Sequence, residues 1–228
     1  MCEELLVMKN GLNLIVMLTH NDKTAMDAYD IFEKCKNSKA KFFGFKEKPL
    51  PLSEMKELYK YMKECGKKTV LEVVSYTEQE GLEGAQMAVE CGVDILMGTK
   101  YFTSIHSLCD RNNIQYMPFV GEIVGRPSVL KGTIDSMIYE ANMLIEKGVY
   151  GFDLLGYRFE GNAPELNKQF VSKVGVPVCV AGSVNSYKRL DELKDVMPWA
   201  FTIGGAFFEN KFGDDFCEQI NTVCEYVK

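Results

Sequence analysis

The sequence is poor in histidine and in closely spaced cysteines. Its 228 residues include only two histidines, His20 and His106, and none of its eight cysteines forms a Cys-x-x-Cys pair. Structural zinc sites use four cysteine or histidine ligands, commonly in closely spaced pairs, so the sequence predicts no metal cage built from protein ligands alone. The scattered cysteines favour free, mostly buried thiols over disulfides.

Long apolar runs and an excess of basic residues are also absent. No stretch reaches the roughly 18 apolar residues that a membrane-spanning helix requires, and the N-terminal Met1-Cys2-Glu3-Glu4 is too acidic for a secretory signal. The formal net charge is −6, whereas nucleic-acid binding requires a broad positive field. These features predict a cytoplasmic protein that binds neither membrane nor nucleic acid.

The sequence does contain a regular alternation of short apolar runs and longer amphipathic segments. The predicted strands are 12–19, 41–45, 69–75, 94–98, 114–120, 150–155, 178–181 and 200–203. The predicted helices are 24–36, one from 53, 77–89, one ending at 111, 129–147, 164–175, 187–196 and one from 214. Such alternation is typical of parallel strands joined by crossover helices.

The chain contains eight such units, and its length of 228 residues is close to the roughly 250 residues typical of a closed α/β barrel. The sequence therefore predicts one parallel eight-stranded (β/α)8 TIM barrel as a single domain over 1–228. A doubly wound open sheet is the rival interpretation, because periodicity alone does not distinguish a closed sheet from an open one.

Glycine-rich turns follow the last two predicted strands. The first contains Gly182 and Ser183, and the second contains Gly204 and Gly205. Glycine lets the backbone approach an anion, and consecutive amides in such turns can point at phosphate oxygens. Barrels commonly bind phosphate at these two positions, so we expect these four residues to bind phosphate. The other interpretation is that the glycines only make tight turns.

With these two turns the sequence resembles the ribulose-phosphate-binding barrel superfamily. That group contains phosphoribosyl-anthranilate isomerase, indole-glycerol-phosphate synthase, keto-gulonate-phosphate decarboxylase and N-acylmannosamine-phosphate epimerase. The resemblance implies a substrate phosphate held by the backbone amides of the two turns. The Asp-x-Lys-x-x-Asp motif of the decarboxylases is replaced here by a segment starting at Glu72, and the acidic residue that epimerases carry beside the seventh-strand glycine is missing. No subfamily is therefore assigned.

Titratable side chains stand near the ends of several predicted strands, where barrel enzymes place their catalytic groups. Glu72 and Asp153 lie within apolar strands, where a buried carboxylate without a partner would be costly. A neighbouring lysine can tune such a carboxylate for acid-base catalysis. His20, Lys46 and Lys100 complete the candidate catalytic set. The competing interpretation of these residues is a structural ion pair or a solvated surface.

Two further candidates lie in the loop after the fifth predicted strand. Glu122 and Arg126 are placed to cover a site at the barrel mouth, and Arg126 could clamp a carboxylate or a second phosphate. His106 falls within a predicted helix and is interpreted as a packing or surface residue.

The leading hypothesis is an isomerase or epimerase acting on a small phosphorylated sugar or related phosphate ester. An aldolase or decarboxylase-type lyase ranks second, and a non-catalytic barrel that binds phosphorylated metabolites is a third alternative. No cofactor motif is visible, although Mg²⁺ bound partly through the substrate phosphate is compatible with this hypothesis. The same turns would suit the phosphate of FMN, and a homodimer also stays open.

Overall fold

A computed structural model describes residues 12–228 of the protein. They form parallel strands surrounded by helices. The strands are β1 (Asn13–Met17), β2 (Thr19–His20), β3 (Lys23–Thr24), β4 (Phe42–Lys46), β5 (Lys68–Val73), β6 (Ile95–Gly98), β7 (Gln115–Met117), β8 (Glu122–Val124), β9 (Val129–Lys131), β10 (Phe152–Leu154), β11 (Val178–Val180) and β12 (Ala200–Ile203). The segment Met1-Cys2-Glu3-Glu4 lies outside the described residues.

The α-helices of the described range follow the barrel strands. They are α1 (Ala28–Cys35), α2 (Leu52–Glu64), α3 (Glu78–Cys91), α4 (Thr103–Arg111), α5 (Ile134–Ile145), α6 (Ala163–Lys173), α7 (Tyr187–Val196), α8 (Gly205–Phe208) and α9 (Phe216–Tyr226). A 3₁₀ turn, Gly156–Arg158, follows β10. In this part of the chain, no helix combines the length and the apolar character needed to span a bilayer.

The central sheet is parallel and curls into a barrel. Its eight strands are hydrogen-bonded in the order β10-β11-β12-β1-β4-β5-β6-β7. The two outermost strands then meet, because Tyr150 N donates to Tyr116 O at 3.1 Å and Asp153 N donates to Pro118 O at 3.1 Å. The predicted eight-stranded α/β barrel is confirmed, and the open-sheet alternative is wrong.

Side-chain alternation divides the core into two layers. In β1, Ile15 and Met17 point into the barrel, whereas Leu14 and Val16 pack against the surrounding helices. This follows from the two-residue period of a strand. At the amino-terminal end, the Trp199 ring meets Phe42 edge-on, with ring centroids 5.5 Å apart. Aromatic rings thus fill that end of the barrel, and polar groups collect at the other.

The predicted helix 129–147 is wrong at its start. Instead, β8 and β9 form an antiparallel hairpin, and α5 begins only at residue 134. Gly132 has a φ of 112°, which a helix does not accept, and Thr133 caps α5 by accepting a hydrogen bond from Ser136 N at 3.1 Å. The apolar residues of β9 continue the spacing of the apolar residues in α5, so a prediction from periodicity alone treated both segments as one helix.

Candidate active site

The carboxyl ends of the barrel strands open into a cleft of about 680 Å³. Loops after β1, β4, β5, β10, β11 and β12 supply its walls, together with the tip of the β8–β9 hairpin. Eight of the residues predicted from the sequence line it: His20, Lys46, Glu72, Arg126, Gly182, Ser183, Gly204 and Gly205. The cleft therefore lies where barrel enzymes carry out their chemistry.

Lys46 is the centre of a buried charge network at one side of the cleft. It ends β4 and stands in register with Glu72 on β5, which places Lys46 Nζ 3.7 Å from Glu72 Oε1. On its other side, Lys46 Nζ lies 2.5 Å from Asp22 Oδ1. Burial lowers the pKa of Lys46, but the carboxylates of Glu72 and Asp22 outweigh it and raise the pKa above its ordinary value. Lys46 is thus a stable ammonium group.

The turn between β2 and β3 brings Asp22 to this network. The predicted strand 12–19 breaks after Met17, and Asn21 and Asp22 adopt left-handed φ values of 50° and 64°. This short hairpin folds back over the barrel mouth, so that Arg158 Nη1 also comes within 4.0 Å of Asp22 Oδ1. Two cations and two carboxylates therefore meet at the entrance to the barrel.

Asp153 lies beneath the cleft rather than on its surface. It is 1% exposed, and neither carboxyl oxygen has a hydrogen-bond partner among residues 12–228. Burial raises the pKa of Asp153 well above its ordinary value, repulsion from Glu72 raises it further, and Lys46 and Arg158 oppose both effects. Asp153 is therefore harder to ionise than an exposed aspartate, and it lies outside the cleft that Glu72 lines.

The two glycine turns form the opposite wall. Gly182 and Ser183 have φ values of 93° and 73°, and Gly204 lies so close to the loop after β1 that a Cβ there would be 2.7 Å from Thr19 O. Within residues 12–228, the backbone N–H groups of Gly182, Ser183 and Val184 donate to no protein acceptor. Unpaired amides beside a polar cleft are what anion binding requires.

Replacing Gly182 by alanine tests whether this wall of the cleft binds phosphate. The new Cβ would lie 2.8 Å from Arg158 Cγ, and the residue would be strained at its positive φ. We expect inorganic phosphate to bind at least about tenfold more weakly, because the turn must move. Titration followed by ³¹P NMR measures this affinity.

Gly92→Ala is the matched control, since Gly92 has a φ of 63° and open space around it. Both variants should lose about 1 kcal/mol of stability from backbone strain, but only Gly182→Ala should lose phosphate affinity. Equal phosphate affinity in Gly182→Ala and the wild type would contradict the assignment of the wall.

The tip of the β8–β9 hairpin is bound across the mouth of the cleft. Arg126 Nη2 donates to Val74 O at 2.9 Å, and Tyr76 Oη lies 2.9 Å from Gly125 O and 2.8 Å from Ser128 Oγ. These contacts hold Arg126 at the cleft margin, so its position suits contact with a bound substrate.

Lys100 and Glu122 are not brought into the cleft. Lys100 is exposed and acts electrostatically on Glu140 of α5, because Gly98 and Thr99 both have positive φ and turn the chain aside. Glu122 is exposed on the hairpin opposite Lys131. The geometry gives neither residue contact with a substrate in the cleft.

The two histidines differ in position. His20 lies at the cleft rim, where its ring stacks on Phe208 with centroids 5.2 Å apart. His106 is buried in α4, and its Nδ1 lies 3.2 Å from Tyr101 Oη. The structure therefore places His106 in packing rather than on the surface. In the described range, no group of three or more His, Cys, Asp or Glu side chains is placed to hold a metal ion.

Several cleft residues had no signal in the sequence. Ser128 and Glu209 line the cleft, and Arg189, which does not line it, contacts the first glycine turn. Each lies in a loop or helix whose distance from the site depends on the path of the chain. Asp22 and Arg158 did stand near predicted strand ends, but nothing in the sequence indicated that they meet.

No protein-family model matches the chain, and no curated protein matches it in sequence. Solved structures do match its fold. The tryptophan synthase alpha chain from Legionella pneumophila has a TM-score of 0.68 at 12% identity, covering 99% of this chain and 94% of that one. For N-acetylmannosamine-6-phosphate 2-epimerase from Clostridium perfringens the TM-score is 0.63 at 14% identity, with 88% and 90% covered.

Phosphoribosylanthranilate isomerase from Thermotoga maritima has a TM-score of 0.61 at 12% identity, with 95% of this chain and 98% of that chain covered. These structures are members of the ribulose-phosphate-binding (β/α)8-barrel superfamily. The likeness of this chain to these structures is one of fold, and no subfamily is assigned.

Proposed function

We propose that this protein is an enzyme that acts on a small phosphorylated sugar or a related phosphate ester, by moving a proton next to a carbonyl group. One arrangement supports the proposal above all. The unpaired amides of residues 182–184 and the Lys46–Glu72 pair line the same cleft. A phosphate held at the amides would leave the rest of the substrate beside the charged pair.

Each group has a distinct task in this proposal. The phosphate anchors the substrate, and its binding energy holds the reacting carbon near Glu72. Glu72 removes a proton from the carbon next to the carbonyl, and the Lys46 ammonium stabilises the negative charge that develops on the carbonyl oxygen. Since the pKa of Lys46 is raised, this electrostatic role suits it better than Schiff-base formation, which needs a neutral amine.

Asp153 acts through Glu72 in this mechanism. It does not line the cleft, and burial together with the nearby Glu72 raises its pKa above the ordinary value. Since two neighbouring carboxyl groups do not readily ionise together, an Asp153 that resists ionisation lets Glu72 serve as the base. Asp153 is therefore a positioning residue in this proposal.

Deuterium exchange tests the proposed chemistry. The protein is incubated in D₂O with a panel of ketose, aldose and keto-acid phosphates, and mass spectrometry follows deuterium at the carbon next to the carbonyl. We expect exchange with at least one member of the panel, and a loss of about a thousandfold in Glu72→Gln, the scale of a lost general base. Glu64→Gln, an exposed carboxylate at the end of α2, is the control.

The same experiment separates the alternatives. Exchange with formation of an isomer supports an isomerase or epimerase, whereas release of a smaller carbonyl fragment supports a lyase. Phosphate binding without exchange across the panel would contradict the enzyme and favour a barrel that only binds phosphorylated metabolites. A yellow purified protein that releases FMN on denaturation would favour the flavin alternative.

A further inference from the structure

Arg189 contacts the first glycine turn without itself lining the cleft. It lies in the first turn of α7, and its Nη1 donates to Ser183 O and, at 3.3 Å, to Asn185 Oδ1. The guanidinium also lies over the Tyr157 ring, 4.7 Å from its centroid, and Tyr157 Oη donates to Arg189 O at 3.2 Å. Side chain and backbone of Arg189 are thus both held in place.

The Ser183 carbonyl group, which accepts a hydrogen bond from Arg189, determines the direction of the Val184 N–H group. The Ser183–Val184 peptide is trans, since the cis bonds of the described range lie elsewhere. In a planar trans peptide the C=O and the following N–H point in opposite directions. Arg189 does not line the cleft, but Val184 does. A Ser183 carbonyl held towards Arg189 therefore turns the Val184 N–H away from Arg189, in a residue that lines the cleft.

The turn needs such support because its backbone is strained. Ser183 has a φ of 73° without being glycine, and a left-handed conformation costs about 1 kcal/mol or more for such a residue. Gly182 packs against Arg158 on one side, which leaves the Ser183 side of the turn to be held by Arg189.

We propose that Arg189 is a positioning residue that holds the turn of residues 182–184 in its anion-binding conformation without touching the anion. The proposal rests on the phosphate site proposed above. In this proposal Arg189, which does not line the cleft, sets the orientation of the backbone amide of Val184, a residue that does.

Inorganic phosphate is the probe for this role. Titration of the ¹⁵N-labelled full-length protein gives the dissociation constant and, from amide shifts, the groups that respond. In the wild type the Val184 and Gly204 amides should both shift. In Arg189→Met, phosphate should bind about tenfold more weakly, the loss of one good hydrogen bond. The Val184 amide should then respond weakly while Gly204 still shifts.

Two variants separate positioning from charge and from folding. Lys188→Met removes the same charge from the neighbouring, exposed residue, and phosphate affinity should stay within about twofold because the charge is screened by solvent. Arg189→Lys keeps the charge and one donor, and it should recover part of the lost affinity and of the Val184 response.

Three results would overturn the role of Arg189: unchanged affinity and Val184 shifts in Arg189→Met, an equal loss in Lys188→Met, or no recovery in Arg189→Lys. Failure of the wild type to bind phosphate at millimolar concentration is a different result, since it would overturn the phosphate site and the proposed function together.

Discussion

Lys46→Met is expected to lower the free energy of unfolding by about 3 kcal/mol, the usual loss when one partner of a buried ion pair is removed. Lys46 is 8% exposed and contacts both Asp22 and Glu72. Within residues 12–228, its removal leaves the partly buried Glu72 carboxylate without an ion-pair partner and leaves Asp22 with Arg158 alone. Chemical denaturation at neutral pH measures the loss, and deuterium exchange should fall by a factor of a hundred or more, on the scale of lost electrostatic stabilisation.

Lys41→Met is the matched control for this variant. Lys41 precedes the same strand at the opposite end of the barrel and is exposed, so its removal should change stability by no more than about 0.5 kcal/mol. The double variant Lys46→Met/Glu72→Gln should regain much of the lost stability, because the carboxylate that Lys46→Met leaves unpaired is gone. Wild-type stability in Lys46→Met would show that the network is not electrostatically coupled.

Asp153→Asn is expected to stabilise the protein at neutral pH while slowing its chemistry. The pKa of Asp153 is raised above its ordinary value of 3.8, first by burial and then by Glu72. Between that value and the raised pKa, the folded protein holds a proton that the unfolded chain has released. Stability of the wild type therefore falls as pH rises through this window. Asparagine does not ionise, so this loss disappears in the variant.

The size of the effect should grow with pH. At pH 3 the two proteins should have similar stability, and at pH 7 the variant should be more stable by at least about 1 kcal/mol, since each pH unit within the window costs the wild type about 1.4 kcal/mol. Turnover should fall about tenfold, less than for Glu72→Gln, because Asp153 acts through Glu72. Urea denaturation across pH measures the first effect and deuterium exchange the second.

For Asp22→Asn we expect the opposite change in the free energy of unfolding. Asp22 pairs directly with Lys46, so its loss should destabilise the protein rather than stabilise it. If Asp153→Asn were also less stable than the wild type at pH 7, the expectation that Asp153 resists ionisation in the folded protein would be wrong.

The strands and the glycines of the two turns were predictable from the sequence because their signals are local. Apolar runs such as 69–75 reflect burial on both faces of a parallel sheet, and each of the eight predicted strands overlaps an observed one. Gly182 and Gly204 follow such runs directly, so a strand assignment was enough to place them at the carboxyl end of the barrel.

The β8–β9 hairpin and the first turn after β1 were not accessible. The hairpin consists of two three-residue strands, too short to show a period of two, and its apolar residues merge with those of α5. The turn at Asn21 and Asp22 depends on left-handed backbone conformations that many sequences adopt only when tertiary contacts hold them.

By itself, the sequence determined the barrel, the end at which the cleft lies and the two glycine turns that line it, since all three follow from local patterns of apolar residues and glycine. Which charges meet was settled only by folding. Strand register places Lys46 beside Glu72, and the β2–β3 hairpin brings Asp22 to it. Asp153 is buried and does not line the cleft. Lys100 and Glu122 are exposed outside it. The physical reason is that burial and pairing depend on distances between residues far apart in the chain, which periodicity does not record.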